Sequence, residues 1–158
     1  MPAHKLWQSL RLRFSATYYP DVVRGVSPHV LVVEDDPLTR QFYTVALERD
    51  GFMVDQAHNG HQALAKALES PPDLIVTDIA VPGLDGIELC RRLRADTRTH
   101  GVPVLAVTGY EDRQYPDRAA IAGADAVLVK PCAADRLVAE ARRLLSRSAD
   151  PHLDGILP

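Results

Sequence analysis

Asp78 stands where a short apolar run, Leu74-Ile75-Val76, gives out, inside the stretch 73–86. A carboxylate at the carboxyl end of a buried strand, where a loop begins, can be a nucleophile, a metal ligand or simply a turn residue. Three other apolar runs end in polar groups. Val30–Val33 is followed by Glu34 and Asp35, Val102–Val107 by Thr108, and Ala126–Val129 by Lys130. Three carboxylates gathered in one place would repel. Two unit charges about 4 Å apart, at an effective dielectric near 20, interact by about 4 kcal/mol. Either one acid stays protonated or a cation sits among them. A hard divalent ion with oxygen ligands suits such a cluster, and Mg2+, which keeps waters, suits a small one. Three acids and one lysine leave a double negative charge, which one Mg2+ cancels. A carboxylate nucleophile beside a metal and a lysine is suited to accepting a phosphoryl group, whose oxygens the two cations neutralise.

The element pattern decides whether these groups meet. His29–Val33 reads as a buried strand, and Pro37 opens a helix capped by Asp36, with Phe42, Val45, Ala46 and Leu47 on its apolar face. Gly51 ends that helix. Phe52–Ala57 is a second strand and Asn59-Gly60 a turn. Ala63, Leu64, Ala67 and Leu68 line a second helix, stopped by Pro71-Pro72. After the Asp78 strand, Val81-Pro82-Gly83 forces a turn. Asp85 then caps a helix, with Glu88 in capping-box position and Ile87, Leu89, Cys90 and Leu93 facing inward. Val102–Val107 is strand four. A helix over roughly Asp112–Ala122 starts late or kinks at Pro116. Ala126–Val129 is strand five, and the last helix runs from Ala134 to about Arg147. Strands alternating with helices predict an α/β fold, a doubly wound five-stranded parallel sheet with helices on both faces. Ligands of open sheets of this kind bind beyond the carboxyl ends of the strands. Every polar strand end named above falls on that edge.

The whole chain has 158 residues and a net charge of −3, with ordinary hydrophobic and charged content, so it fits one globular domain with extensions and shows no overall bias toward nucleic acid. Three segments are expected: a basic N-terminal extension over 1–28, a folded domain over 29–147 and a tail over 148–158. The extension carries Lys5, Arg11, Arg13 and Arg24 against Asp21 alone. Its Leu6, Trp7, Leu10 and Phe14 could line a short helix that docks on a partner or an anionic membrane surface. A loosely ordered leader is the simpler reading. Cys90 and Cys132 lack metal or redox spacing, which fits a reducing cytoplasm. No run reaches the roughly 18 apolar residues of a membrane span, and no signal peptide is evident.

The motifs LVVEDD, DIAVPGLDG, Thr108-Gly109 and VKP, in this order and spacing, resemble the receiver domain of two-component response regulators. The likeness covers about Val30 to Leu145. It implies a flavodoxin-like fold with strand order 2-1-3-4-5. It also implies a phosphoacceptor at Asp78, charged from a phosphohistidine on a sensor histidine kinase or histidine phosphotransfer protein. Asp35 directly and Glu34 through water would hold Mg2+, or Mn2+ in its place, with Asp78 and the backbone carbonyl of Ala80. Thr108 would be the switch hydroxyl. Lys130 would pair with the phosphate, positioned by a cis bond to Pro131.

The sequence departs from the family pattern in places. Val127 occupies the position usually held by an aromatic residue or His that rotates on activation, so phosphorylation is expected to be read out differently. Val81 replaces a usual Met and Cys132 a usual Phe. Ala80 and Tyr110 flank the phosphoryl site. Ala80 cannot orient a water, so slow self-dephosphorylation is expected. Only a short tail follows Leu145, so the expectation is a stand-alone receiver, a monomer or weak dimer. It would signal by protein contacts, on the face of helix four, strand five and helix five, without binding nucleic acid. Two other readings compete. An aspartyl phosphatase would need an acid two residues after Asp78, where Ala80 stands. A non-phosphorylated interaction module draws on Val127 and is opposed by the intact acids, Thr108 and Lys130.

Overall fold

Short β-branched runs in this chain are apolar on both sides, so they belong between two layers of helix rather than at a wet surface. The computed structural model describes residues 27–109 and 115–149 and bears this out. The strands are β1 (His29–Val33), β2 (Met53–Ala57), β3 (Leu74–Asp78), β4 (Val104–Thr108) and β5 (Ala126–Val129). The helices are α1 (Pro37–Arg49), α2 (Gly60–Glu69), α3 (Gly86–Ala95), α4 (Tyr115–Ala122) and α5 (Ala134–Ala149). All strand pairs are parallel, in the order β2-β1-β3-β4-β5.

Successive side chains of a strand point to opposite faces, so each central strand feeds two cores. Leu31, Val33, Ile75, Val104 and Ala106 join α2, α3 and α4 in one apolar layer. Val30, Val32, Leu74, Val76, Leu105 and Val107 join α1 and α5 in the other. The central strands β3 and β4 are buried throughout, whereas the edge strands expose Met53 and Val129. The register pairs Val33 with Thr77, Asp78 with Val107 and Thr108 with Val129, so the carboxyl ends line up along one edge.

Several expectations need correction. On α1 the buried stripe is Tyr43, Thr44 and Leu47, and Phe42 is 48% exposed rather than in the core. Leu38 and Phe42, one turn apart, lie on the outer flank because Tyr43 takes the inward position. Phe52 is buried but precedes β2, its N–H bonded back to the Leu47 carbonyl at 3.1 Å. Strand four starts at Val104, not Val102. Val102 is held in a turn by its bond to the Thr99 carbonyl, and Pro103 has no N–H for the ladder. Asn59 is the cap of α2, accepting the Gln62 N–H at 2.8 Å, rather than part of a free turn. Helix four is described from Tyr115, and Asp112 lies outside the described residues. Ser148 and Ala149 extend α5 instead of opening the tail. Residues 1–26 and 150–158 lie outside the described residues, as does Tyr110. Among the described residues no helix is long and apolar enough to cross a membrane.

Candidate functional site

The aligned carboxyl ends bring the acids together. Asp78 is the last residue of β3 and 6% exposed, so it belongs to the strand rather than to the loop after it. Glu34, one residue past β1, is 1% exposed, and Asp35 beside it is exposed. One carboxylate oxygen from each of Glu34, Asp35 and Asp78 lies within 4.8 Å of the other two. Lys130 enters from the end of β5. Its Nζ donates to Glu34 Oε2 at 2.8 Å and to Asp78 Oδ2 at 3.1 Å.

Local sequence explains why these side chains hold their places. The chain must fold back sharply after Asp78, and Gly86 allows it. A Cβ at Gly86 would stand 2.6 Å from the Asp78 carbonyl oxygen, so the first turn of α3 packs directly on the end of β3. The Gly86 N–H donates to the Ile79 carbonyl at 2.9 Å, and Asp85 caps α3 by accepting the Glu88 N–H at 2.9 Å. The Glu88 carboxylate engages Arg92 at 3.0 Å, one turn along the same helix. From the other side Gly60 of α2 presses on the loop, and a Cβ there would sit 1.7 Å from the Leu84 carbonyl oxygen. Asp78 Oδ1 accepts the Ala80 N–H at 3.2 Å, and the Thr77 hydroxyl donates to the Asp78 carbonyl at 2.9 Å.

One lysine faces three acids. Burial raises the pKa of Glu34 above its ordinary value, and the Lys130 hydrogen bond only partly offsets that. Burial would lower the pKa of Lys130, but its bond to Glu34 and the charge of Asp78 outweigh burial, so the ammonium is held charged. A single positive charge leaves the cluster negative, and its donors are all carboxylate oxygens. That set fits a hard divalent cation. Asp36 stands apart from this balance. It caps α1 by accepting the Thr39 N–H at 2.7 Å, and that bonding lowers its pKa.

The remaining candidate residues fall as follows. Thr108 ends β4 at 1% exposure, with its hydroxyl 3.4 Å from the Gly109 carbonyl. The Lys130–Pro131 peptide is cis. Ala80 is exposed at the mouth of the site. Val127 is half-buried and packs against the layer of α2, α3 and α4. Cys132 is a half-buried free thiol and Cys90 a fully buried one. Two residues that sequence reasoning passed over also stand here. Tyr43 is buried under the site, and burial pushes its hydroxyl up to about 12. Arg40 donates to the carbonyls of Glu34 and Asp35 at 2.8 and 3.3 Å. No residue spacing points to an Arg whose partners are main-chain carbonyls.

The response regulator receiver domain family matches residues 30–142. The DNA-binding dual master transcriptional regulator RpaA of Synechocystis is 37% identical over 121 residues, which are 77% of this chain and 50% of that protein. The phosphate regulon transcriptional regulatory protein PhoB of Rhizobium meliloti is 35% identical over 130 residues, 82% of this chain and 57% of that protein. This chain therefore spans about half the length of the curated relatives it matches. Among solved structures, the Francisella response regulator 1452 receiver domain superposes with a TM-score of 0.71 at 30% identity, covering 77% of this chain and 99% of that one. The chemotaxis response regulator CheY4 of Vibrio cholerae gives 0.71 at 28% identity, covering 75% and 99%. With the family matched over most of the folded region and the strand order shared, this chain belongs to the receiver domains of two-component response regulators.

Proposed function

We propose that Asp78 accepts a phosphoryl group from a phosphohistidine of a sensor kinase or phosphotransfer protein. The observation that carries this is the bridge of Lys130 between Glu34 and Asp78, with the Asp35 carboxylate beside them. An Asp78 carboxylate oxygen attacks phosphorus, and the phosphorus–nitrogen bond to the donor imidazole breaks. From the protonated form of the donor, in which the other ring nitrogen carries a proton, the ring leaves as neutral imidazole. Lys130, released from Asp78 Oδ2, pairs with an oxygen of the transferred group. The Thr108 hydroxyl donates to another. The Ala80 N–H continues to orient the carboxylate through Oδ1. Glu34, Asp35, Asp78 and the Ala80 carbonyl would hold Mg2+ or Mn2+, which supplies charge neutralisation for the incoming phosphoryl oxygens.

Val127 changes the readout rather than the chemistry. It offers no ring to swing inward when Thr108 moves, so signalling runs through other contacts of the β4–β5 edge. Ala80 places a methyl group at the site mouth, where no side-chain oxygen or nitrogen can align an attacking water. The acyl phosphate should therefore decay slowly once donor is removed.

The test is incubation with phosphoramidate and Mg2+, followed by intact and peptide mass spectrometry. One phosphoryl group is expected on Asp78, absent without divalent cation and absent in Asp78→Asn. An unmodified wild-type chain would sink the reading and favour a non-phosphorylated interaction module. An adduct that persists in Asp78→Asn would place the chemistry elsewhere.

A further inference from the structure

The pairing of β1 with β3 stops at Val33 and Thr77. The carbonyls of Glu34 and Asp35 lie beyond it, and that of the buried Glu34 needs a donor from outside the ladder. Arg40 supplies it. Nη1 donates to the Glu34 carbonyl at 2.8 Å and to the Asp35 carbonyl at 3.3 Å. The same guanidinium is pinned from behind. Its Nε donates to Gln56 Oε1 at 3.1 Å, Gln56 Nε2 donates to the Thr44 hydroxyl at 3.0 Å, and that hydroxyl donates to the Arg40 carbonyl at 2.8 Å. This closed ring ties α1 to the edge strand β2. Thr44 within it is 4% exposed. A planar fork engaged on both sides has little freedom to turn.

We propose that Arg40 is a positioning residue for the acidic pair. By gripping the two carbonyls it fixes the backbone that aims Glu34 and Asp35 at a divalent cation and at Asp78. The proposal rests on the phosphoryl-acceptor reading above. It makes a prediction opposite in sign to simple electrostatics. A positive charge beside an acidic cluster weakens cation binding, so its removal by charge alone would tighten it. A positioning role requires the reverse.

Mn2+ binding by the full chain, followed by the electron paramagnetic resonance signal of free Mn2+, separates the two. Arg40→Met should weaken binding by about tenfold, the lower end of what losing a residue that orients metal ligands costs. Arg40→Lys keeps the charge and loses the fork, and should fail to restore affinity. Gln56→Met leaves the acids and Arg40 in place but opens the ring, and should weaken binding less than either. Each variant is measured well below its own melting temperature, recorded by circular dichroism without metal. Unchanged or tighter binding in Arg40→Met, or full rescue by Arg40→Lys, overturns the proposal. Should Arg40→Met not fold, Arg40→Lys and Gln56→Met decide on the same terms: weaker binding supports it and wild-type binding overturns it. A wild-type chain that binds no Mn2+, or binds it equally well after Asp35→Asn, overturns the acceptor-site reading and this proposal with it. Binding that is lost in Asp35→Asn yet untouched in the Arg40 and Gln56 variants overturns the positioning role alone.

Discussion

At the amino-terminal edge of the sheet Asp73 accepts the His29 N–H at 2.8 Å, and Asp125 accepts the Val104 N–H at 2.8 Å. Asp125 also takes Arg94 Nη2 at 2.8 Å. Arg94 further donates to the carbonyls of Gly123 at 2.7 Å, Val102 at 2.6 Å and His100 at 3.1 Å. Here donors are plentiful, and the acids accept the first N–H groups of β1 and β4. At the carboxyl-terminal edge the balance is reversed. Three carboxylates cluster there, and the two that bond the ammonium of Lys130, Glu34 and Asp78, are almost fully buried. Acids at the first edge are matched by donors and serve the fold. Acids at the second outnumber their positive partner, and the unmatched charge is what a cation or a phosphoryl group with its metal can answer. Abundance of carboxylates does not distinguish a site from a scaffold; the ratio of donors to acids does.

The largest effect expected from this contrast is at Arg94. Replacing it by Met strips several backbone carbonyls and Asp125 of their donor, and should cost about 3 kcal/mol of stability in urea unfolding. Labelling of the folded protein at Asp78 should be unchanged. A cost below about 1 kcal/mol, or slower labelling, would break the division between the edges. Next comes the same substitution made at both. Asp78→Asn removes one of three crowded charges and leaves Lys130 to Glu34, so without divalent cation it should stabilise the chain by about 1 kcal/mol. Asp125→Asn weakens a matched contact and should destabilise by about 1 kcal/mol. Equal signs for the two would remove the distinction.

The smallest effect is in titration, best followed by carboxyl NMR in metal-free buffer. Asp96, at the end of α3, is held at about 2 by the side-chain bond from Arg98, with help from the Arg98 N–H. Its favourable contribution is complete above the ordinary value of 3.8 and is lost as pH falls through about 2. Glu34 is shifted the other way by burial. The fold favours its neutral form, so its contribution is present below the ordinary value of 4.5 and lost as pH rises through the elevated folded value. Finding the two shifted in the same direction would show that the edges do not differ in how they treat charge.

Much of this was legible without coordinates. Apolar blocks without alternation mark parallel strands, and polar residues at their ends mark the edge where the acids gather. Asp85 and Asp36 announced themselves as caps by type and spacing. Other features depend on facts that spacing does not carry. Phe42 and Tyr43 are adjacent, and a rotation of the helix by one residue decides which is buried. Phe52 looks like a strand residue but fills the space between α1 and α5. Arg40 acts on main-chain carbonyls, which have no residue type to recognise. The depth of Glu34 was hidden for the same reason: only the packed sheet shows that an acid next to an exposed Asp35 is itself almost without solvent.

The reach of Lys130 has a further consequence. It joins Asp78 across 52 positions of sequence and Glu34 across 96. Contacts of such long range form only after most of the chain-closure entropy has been spent. A nascent chain that has emerged only through β4 carries the acids but not the lysine that counters them. The cluster and its counter-charge are thus complete only with the last strand, and in the proposed role a half-made protein would lack the lysine that pairs with a transferred phosphoryl group.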